Sequence, residues 1–352
     1  MSANKITFTY LSQEDLLESG CFDIRLAMEV AEETMLAYKD NRILFPEKIV
    51  QIFDQATQDR INCLPATLLD QKISGVKWVS VFPGNPALHG AQNLSAIFVL
   101  SEIEKGFPTA VMEGTLASNM RVAAMGGIAA KYLSREDSEV IGFIGAGEQA
   151  KMHLLSMKVV RPGLKECRVA AKSIEEEQQF IDELSPLFPD MTFVGAETHG
   201  RAAMQDADIL VTATSAQAPL LKAAWMKPGA FYSHIGGWED EYEVALQCDK
   251  IVCDDWETVT HRTQTLSRMY DEGLISSVNI HADLHELVSG LKSGRESDEE
   301  RIYFNAVGLA YIDVAIGLAM YHRAIRAGCG HTLDLQQCMI FQHENVLQQV
   351  RL

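Results

Sequence analysis

Val140-Ile141-Gly142-Phe143-Ile144-Gly145-Ala146-Gly147-Glu148-Gln149-Ala150 is the stretch on which the fold turns. Its first five residues form a short apolar run, the pattern of a strand buried on both faces. A G-x-G-x-x-A turn follows directly, and residues 149–160 continue at helical spacing. A glycine turn between a buried strand and a helix is the context a dinucleotide-binding fingerprint requires. Gly145 permits the tight turn and Gly147 lets backbone approach a pyrophosphate. The helix N-terminus, with Glu148 and Gln149, offers unpaired N–H groups and a partial positive charge.

Working outward, the chain alternates β and α units: strands at 167–171, 192–194 and 208–212, helices at 174–187 and near 200–205. That rhythm predicts a Rossmann-type, doubly wound parallel sheet in an α/β protein. The second strand ends Ala171-Lys172-Ser173, a cation and a hydroxyl where an NAD enzyme usually carries an acid. Lys172 and Ser173, with Arg168, suit a 2′-phosphate, so NADP(H) is expected over NAD(H).

On the other side of a polar linker at 134–139 the character changes. Residues 116–133 read as a buried helix interrupted only by Gly126 and Gly127, and 11–40 as one or two helices. Pieces at 49–53, 60–64, 76–82 and 96–100 suggest a small antiparallel sheet. The apolar helix at 306–327 comes after the βα rhythm and is expected to return to the first lobe. The expected organisation is a discontinuous α+β lobe, 1–133 with 306–352, and a dinucleotide domain, 138–305.

The 352 residues, 47% of them hydrophobic, can fill more than one core, and a net charge of −18 disfavours nucleic acid and anionic membrane surfaces. The N-terminus meets Glu14 and Asp15 before any signal-like run, and no stretch is long enough to span a bilayer. Seven scattered cysteines without a C-x-x-C pair argue against a disulfide framework and fit the cytoplasm. His281 and His285 are spaced i, i+4 but lack a third ligand, so a solvated helix is expected and no metal.

Two cations stand in apolar surroundings. Lys77 lies in Gly75-Val76-Lys77-Trp78-Val79-Ser80-Val81-Phe82, where an ammonium is costly unless paired or used. Arg121 lies in the most apolar helix of its lobe, and a guanidinium there invites a carboxylate. With the glycine turn, these stretches resemble the ornithine cyclodeaminase and μ-crystallin family over nearly the whole chain. Lys77-Trp78 followed by Asn85, Met112-Glu113-Gly114, and the run from Asp249 to Trp256 further resemble its diaminopropionate-releasing dehydrogenases.

The resemblance implies hydride transfer at the α-carbon of an amino acid or imine, with Lys77 beside the reacting carbon and Arg121 clamping the α-carboxylate. Lys48 falls where many members carry a second arginine, and loses its bidentate fork. An acid facing substrate nitrogen falls on Glu239, with Asp240 as the alternative. Thr212 and Thr214 match a cofactor-facing turn, and Ser118 and Asn119 join the cofactor set. The expected partner is a small amino-acid or imine substrate, and the family implies a homodimer through the first lobe's sheet. Three net reactions share these parts: oxidative release of an amino acid from an N-substituted amino acid, which the subgroup favours, ketimine reduction, and cyclodeamination. A non-catalytic, crystallin-like ligand-binding protein is the reading from a different class.

Overall fold

A computed structural model describes residues 5–54 and 56–351. The chain divides into two compact units, one of residues up to 23, 41–118 and from 310 onward, the other of 24–40 and 119–309. The helix Ile24–Lys39 and most of Thr115–Leu133 thus group with the nucleotide-type sheet, whereas the sequence assigned them to the first lobe. Their packing explains this: Gly127 lacks a Cβ that would lie 2.8 Å from Ser156 of the helix Glu148–Val160 and 3.2 Å from Met28.

The first unit is built on an eight-stranded sheet. Its spatial order is His331–Gln336, Ile6–Leu11, Pro108–Glu113, Leu94–Glu102, Ile73–Val81, Asp59–Leu68 and Ile43–Leu44, with Ile49–Asp54 also pairing Asp59–Leu68. Pairing is antiparallel except between Ile6–Leu11 and Pro108–Glu113. Alternation sends Ile73, Gly75, Lys77 and Val79 to the core face. There they meet the helix Ala310–Ala327, and a Cβ at Gly75 would lie 2.9 Å from Val314. Only glycine allows so close an approach.

That helix begins four residues later than the sequence pattern suggested, because residues 306–309 are held outside it. Gly308 has φ +92°, and the Val307 and Gly308 N–H groups donate to Asp254 rather than to a helical carbonyl.

The second unit carries an eight-stranded, all-parallel sheet. Its order is Thr192–Gly195, Glu166–Ala170, Val140–Ile144, Ile209–Thr212, Phe231–His234, Ile302–Asn305, Lys250–Cys253 and Ala282–Asp283. From Val140–Ile144 the chain moves outward in one direction and then returns to Ile209–Thr212 on the other side. The topological switch point, where this fold binds ligands, lies between those two strands. Among the described residues no helix is long and apolar enough to cross a membrane.

Candidate active site

The glycine turn at the switch point is specified twice. Gly145 has φ +105°, and a Cβ there would sit 2.5 Å from the Ala213 carbonyl oxygen of the loop after Ile209–Thr212. Gly147 is the N-cap of the helix Glu148–Val160, and no side chain caps it. A Cβ at Gly147 would meet nothing within 4 Å, so open space adjoins the first-turn N–H groups. Glu148 is exposed and paired with Lys151 at 3.0 Å. Gln149 donates through Nε2 to Asn119 Oδ1 at 2.8 Å, while its buried Oε1 has no partner. In the first unit the buried Ser118 hydroxyl also has no partner. The open space at Gly147 and the uncapped first-turn N–H groups beside it fit the diphosphate of a dinucleotide.

At the end of the second strand, Ala171 N–H donates to Glu177 Oε1 at 3.1 Å. Glu177 is 2% exposed and also accepts from Glu197 and Thr198 N–H at 3.0 and 2.7 Å. Ser173 is the N-cap of Ile174–Leu184, its hydroxyl accepting from Glu176 N–H. Lys172 is exposed. Arg168 does not join this loop: it pairs with Glu166 and donates to Gln205 O at 2.9 Å. Its mid-strand position directs it away from the strand's C-terminal end, which is why it drops out of the expected phosphate set.

The loops after the strands Ile209–Thr212 and Phe231–His234 are bound together by Glu239, which is fully buried. Its carboxylate accepts from Thr212 Oγ1 (2.9 Å), Thr214 N (2.5 Å), Thr214 Oγ1 (2.6 Å) and Gly236 N (2.7 Å). The hydroxyls of Thr212 and Thr214 are therefore turned inward instead of facing a cofactor. Glu239 itself braces loops, with no open lone pair for a substrate. Asp240 is also fully buried, accepting from Thr265 Oγ1 at 2.6 Å and Tyr303 OH at 3.1 Å, and burial pushes its carboxyl up to about 6. A run of acids next to a glycine turn does not reveal which carboxylates face inward.

In the first unit Lys77 is 2% exposed and its Nζ lies 2.8 Å from Asp313 Oδ2, itself fully buried. Asp313 is a functional candidate that sequence reasoning missed; an acid in a strongly apolar helix was the available signal. Lys48 sits half-buried just before the edge strand Ile49–Asp54. In the second unit Arg121 is 7% exposed, its guanidinium packed on Gly308, where a Cβ would lie 2.6 to 2.8 Å away. Asp254, which fixes the Gly308 backbone, is pushed up to about 6, chiefly by burial. His281 and His285 share no helix, since His281 precedes the strand Ala282–Asp283 and His285 lies in Leu284–Val288.

Residues 13–328 match the model of the ornithine cyclodeaminase/mu-crystallin family. The chain belongs to that family. One relative is the N-((2S)-2-amino-2-carboxyethyl)-L-glutamate dehydrogenase of Staphylococcus aureus, 29% identical over 330 residues, which are 93% of this chain and 98% of the relative. The Delta(1)-pyrroline-2-carboxylate reductase of Thermococcus litoralis, solved with NADH and L-proline, superposes with a TM-score of 0.87 at 30% identity. That likeness covers 92% of this chain and 99% of the reductase. An archaeal alanine dehydrogenase dimer with bound NAD gives 0.86 at 31% identity, covering 94% and 100%. These relatives are dehydrogenases or reductases of amino acids or their imines, and the two solved ones hold NADH or NAD.

Proposed function

We propose that this chain is a nicotinamide-dinucleotide-dependent oxidoreductase moving a hydride at the α-carbon of an amino acid or imine. Its net reaction, on this reading, is oxidative release of an amino acid from an N-substituted amino acid. The observation that carries the proposal is the buried Lys77 ammonium held 2.8 Å from Asp313 on the core face of a sheet. An ion pair so placed is expensive to bury and is weak evidence of stability, so a chemical use accounts for it better than a structural one.

The Gly145–Gly147 turn would hold the dinucleotide, which would supply the hydride acceptor or donor. Arg121 holds the substrate α-carboxylate, and Lys48 adds a point charge for a further carboxylate. Lys77, oriented by Asp313, exchanges a proton with the reacting nitrogen. Water then cleaves the imine carbon–nitrogen bond, leaving a 2-oxo acid and the free amine. Glu239 and Asp240 are assigned to positioning, because Glu239 is taken up by Thr212, Thr214 and Gly236 and Asp240 accepts from Thr265 and Tyr303.

For the dinucleotide we assign NAD(H) in place of the NADP(H) that the sequence suggested. Lys172 alone remains to meet a 2′-phosphate, and Glu175 and Glu176 open the next helix as exposed like charges to it. Pairing of two copies through the first unit's sheet belongs to the same reading, since Trp78, Ile97, Ile52 and Phe53 are exposed on it. The test is a spectrophotometric assay with each dinucleotide on a panel of N-(1-carboxyalkyl) amino acids, N-(2-amino-2-carboxyethyl)-glutamate among them, and simple amino acids. Reduction of NAD by the N-substituted compounds is expected. Turnover without net change in reduced dinucleotide would identify cyclodeamination instead, and no turnover at all would leave a ligand-binding protein.

A further inference from the structure

One buried group in the second unit has no part in the chemistry above. His234 ends the strand Phe231–His234, is fully buried, and places both ring nitrogens on hydrogen-bond partners. Nδ1 lies 2.7 Å from Asn305 Oδ1, and Nε2 lies 2.8 Å from the Gly237 carbonyl oxygen. A neutral imidazole has one donor and one acceptor, so what its partners can do fixes its state.

A carbonyl accepts only, so Nε2 must donate. The Asn305 side is settled by a chain of amides anchored in backbone. Gln264 Nε2 faces three carbonyl oxygens, Ile235 at 3.3 Å, Gly236 at 2.7 Å and Ala306 at 3.1 Å. Its amide nitrogen therefore belongs there, since the reversed amide would set oxygen against three acceptors. Gln264 Oε1 then points at Asn305, which must answer with Nδ2, at 2.8 Å. Asn305 Oδ1 is left facing His234, and Nδ1 must donate as well.

The surroundings are those of a cation. Glu239 Oε2 and Asp240 Oδ1 lie 3.5 and 3.7 Å from Nε2. The rings of Tyr232 and Tyr303 stand 6.1 and 6.0 Å away, and burial pushes both phenols well above their ordinary range, which keeps them neutral. The two carboxylates are thus the charges facing the imidazole among the described groups.

We infer that His234 carries a proton on both ring nitrogens and, as a buried imidazolium between Glu239 and Asp240, is the positioning residue that fixes the turn Gly236-Gly237-Trp238 beside the switch point. It holds the turn directly through Gly237 and indirectly through Gln264, which grips the carbonyls of Ile235 and Gly236. Glu239, beside it, ties the same turn to Thr214. Gly236 tolerates no side chain there, since a Cβ would lie 2.2 Å from Thr214 O. The effect on turnover rests on the proposed dehydrogenase reading, whereas the protonation state does not.

The test has two arms. Nuclear magnetic resonance of protein labelled with ¹⁵N in histidine, at a pH of about 7.5 where an ordinary exposed imidazole is mostly neutral, reads the two ring nitrogens directly. The resonances are assigned by their loss in His234→Gln, or in His234→Asn should the first variant fail to fold. Protons on both nitrogens are expected; an unprotonated nitrogen would overturn the inference. In steady-state assays His234→Gln is expected to lower kcat about tenfold or more through a displaced turn, with dinucleotide affinity changed no more than about twofold. An unchanged kcat would remove the positioning role even if both protons were found. Wild-type protein without turnover would strike the dehydrogenase reading and leave the resonance result standing.

Discussion

The Lys77–Asp313 pair separates two roles that a single substitution confuses. Lys77→Met removes the ammonium that faces Asp313 in the core, and removing one partner of a buried pair costs about 3–5 kcal/mol of stability. Lys77→Met with Asp313→Leu removes both charges and is expected to recover most of that loss in urea unfolding, while turnover stays absent. A double variant as unstable as the single one would mean that the pair serves the fold rather than the chemistry. Lys77 was legible in the sequence because the period of two puts it on the same face as Ile73 and Val79. Its partner was not, because sheet and helix meet only in the folded chain, at the close approach Gly75 allows. The same limit hid Glu177 and His234: nothing in Glu175-Glu176-Glu177 marks the one carboxylate that turns inward to bind three backbone N–H groups.

At the scale of an element, the turn between Val140–Ile144 and Glu148–Val160 carries the strongest prediction. Gly145→Ala places a methyl group 2.5 Å from Ala213 O at φ +105°, with a strain of roughly 1–3 kcal/mol. Isothermal titration should then show dinucleotide affinity lowered about tenfold or more as the turn shifts; unchanged affinity would remove the turn from the binding site. The helix after it contains His153, fully buried, its Nδ1 2.7 Å from Gln149 O. Burial first, then nearby Arg121, pushes this imidazole down to about 4. The unfolded chain takes up the proton first as the pH falls. The neutral histidine's contribution is therefore complete above an ordinary value of about 6.5 and is lost on the way down to about 4. Relative to His153→Gln, wild-type protein should lose stability between about pH 7 and pH 5 in denaturant titrations. A difference independent of pH would show that the ring is not buried as a neutral group.

At the scale of the whole molecule, the parallel sheet and its glycine turn were readable because short apolar strands alternate with helices of regular period. Two strands of the other sheet were not: His331–Gln336 is exposed along nearly all its length, and Ile6–Leu11 lacks a clean alternation, so neither displays a buried face in the sequence. Lys77 and Arg121 were readable as charges in apolar surroundings, and both are buried, whereas the burial of Glu239 and Asp240 was not readable. In Trp238-Glu239-Asp240-Glu241 the resemblance implied an acid facing substrate nitrogen at Glu239 or Asp240, and the fold turns both inward. What remains most exposed to test is the claim that hydride leaves or joins the substrate's α-carbon. Substrate carrying deuterium at that carbon, turned over with unlabelled oxidised dinucleotide, should yield reduced dinucleotide bearing one deuterium by mass spectrometry. Turnover that leaves every recovered dinucleotide unlabelled, with the deuterium retained in product or lost to water, would contradict the account.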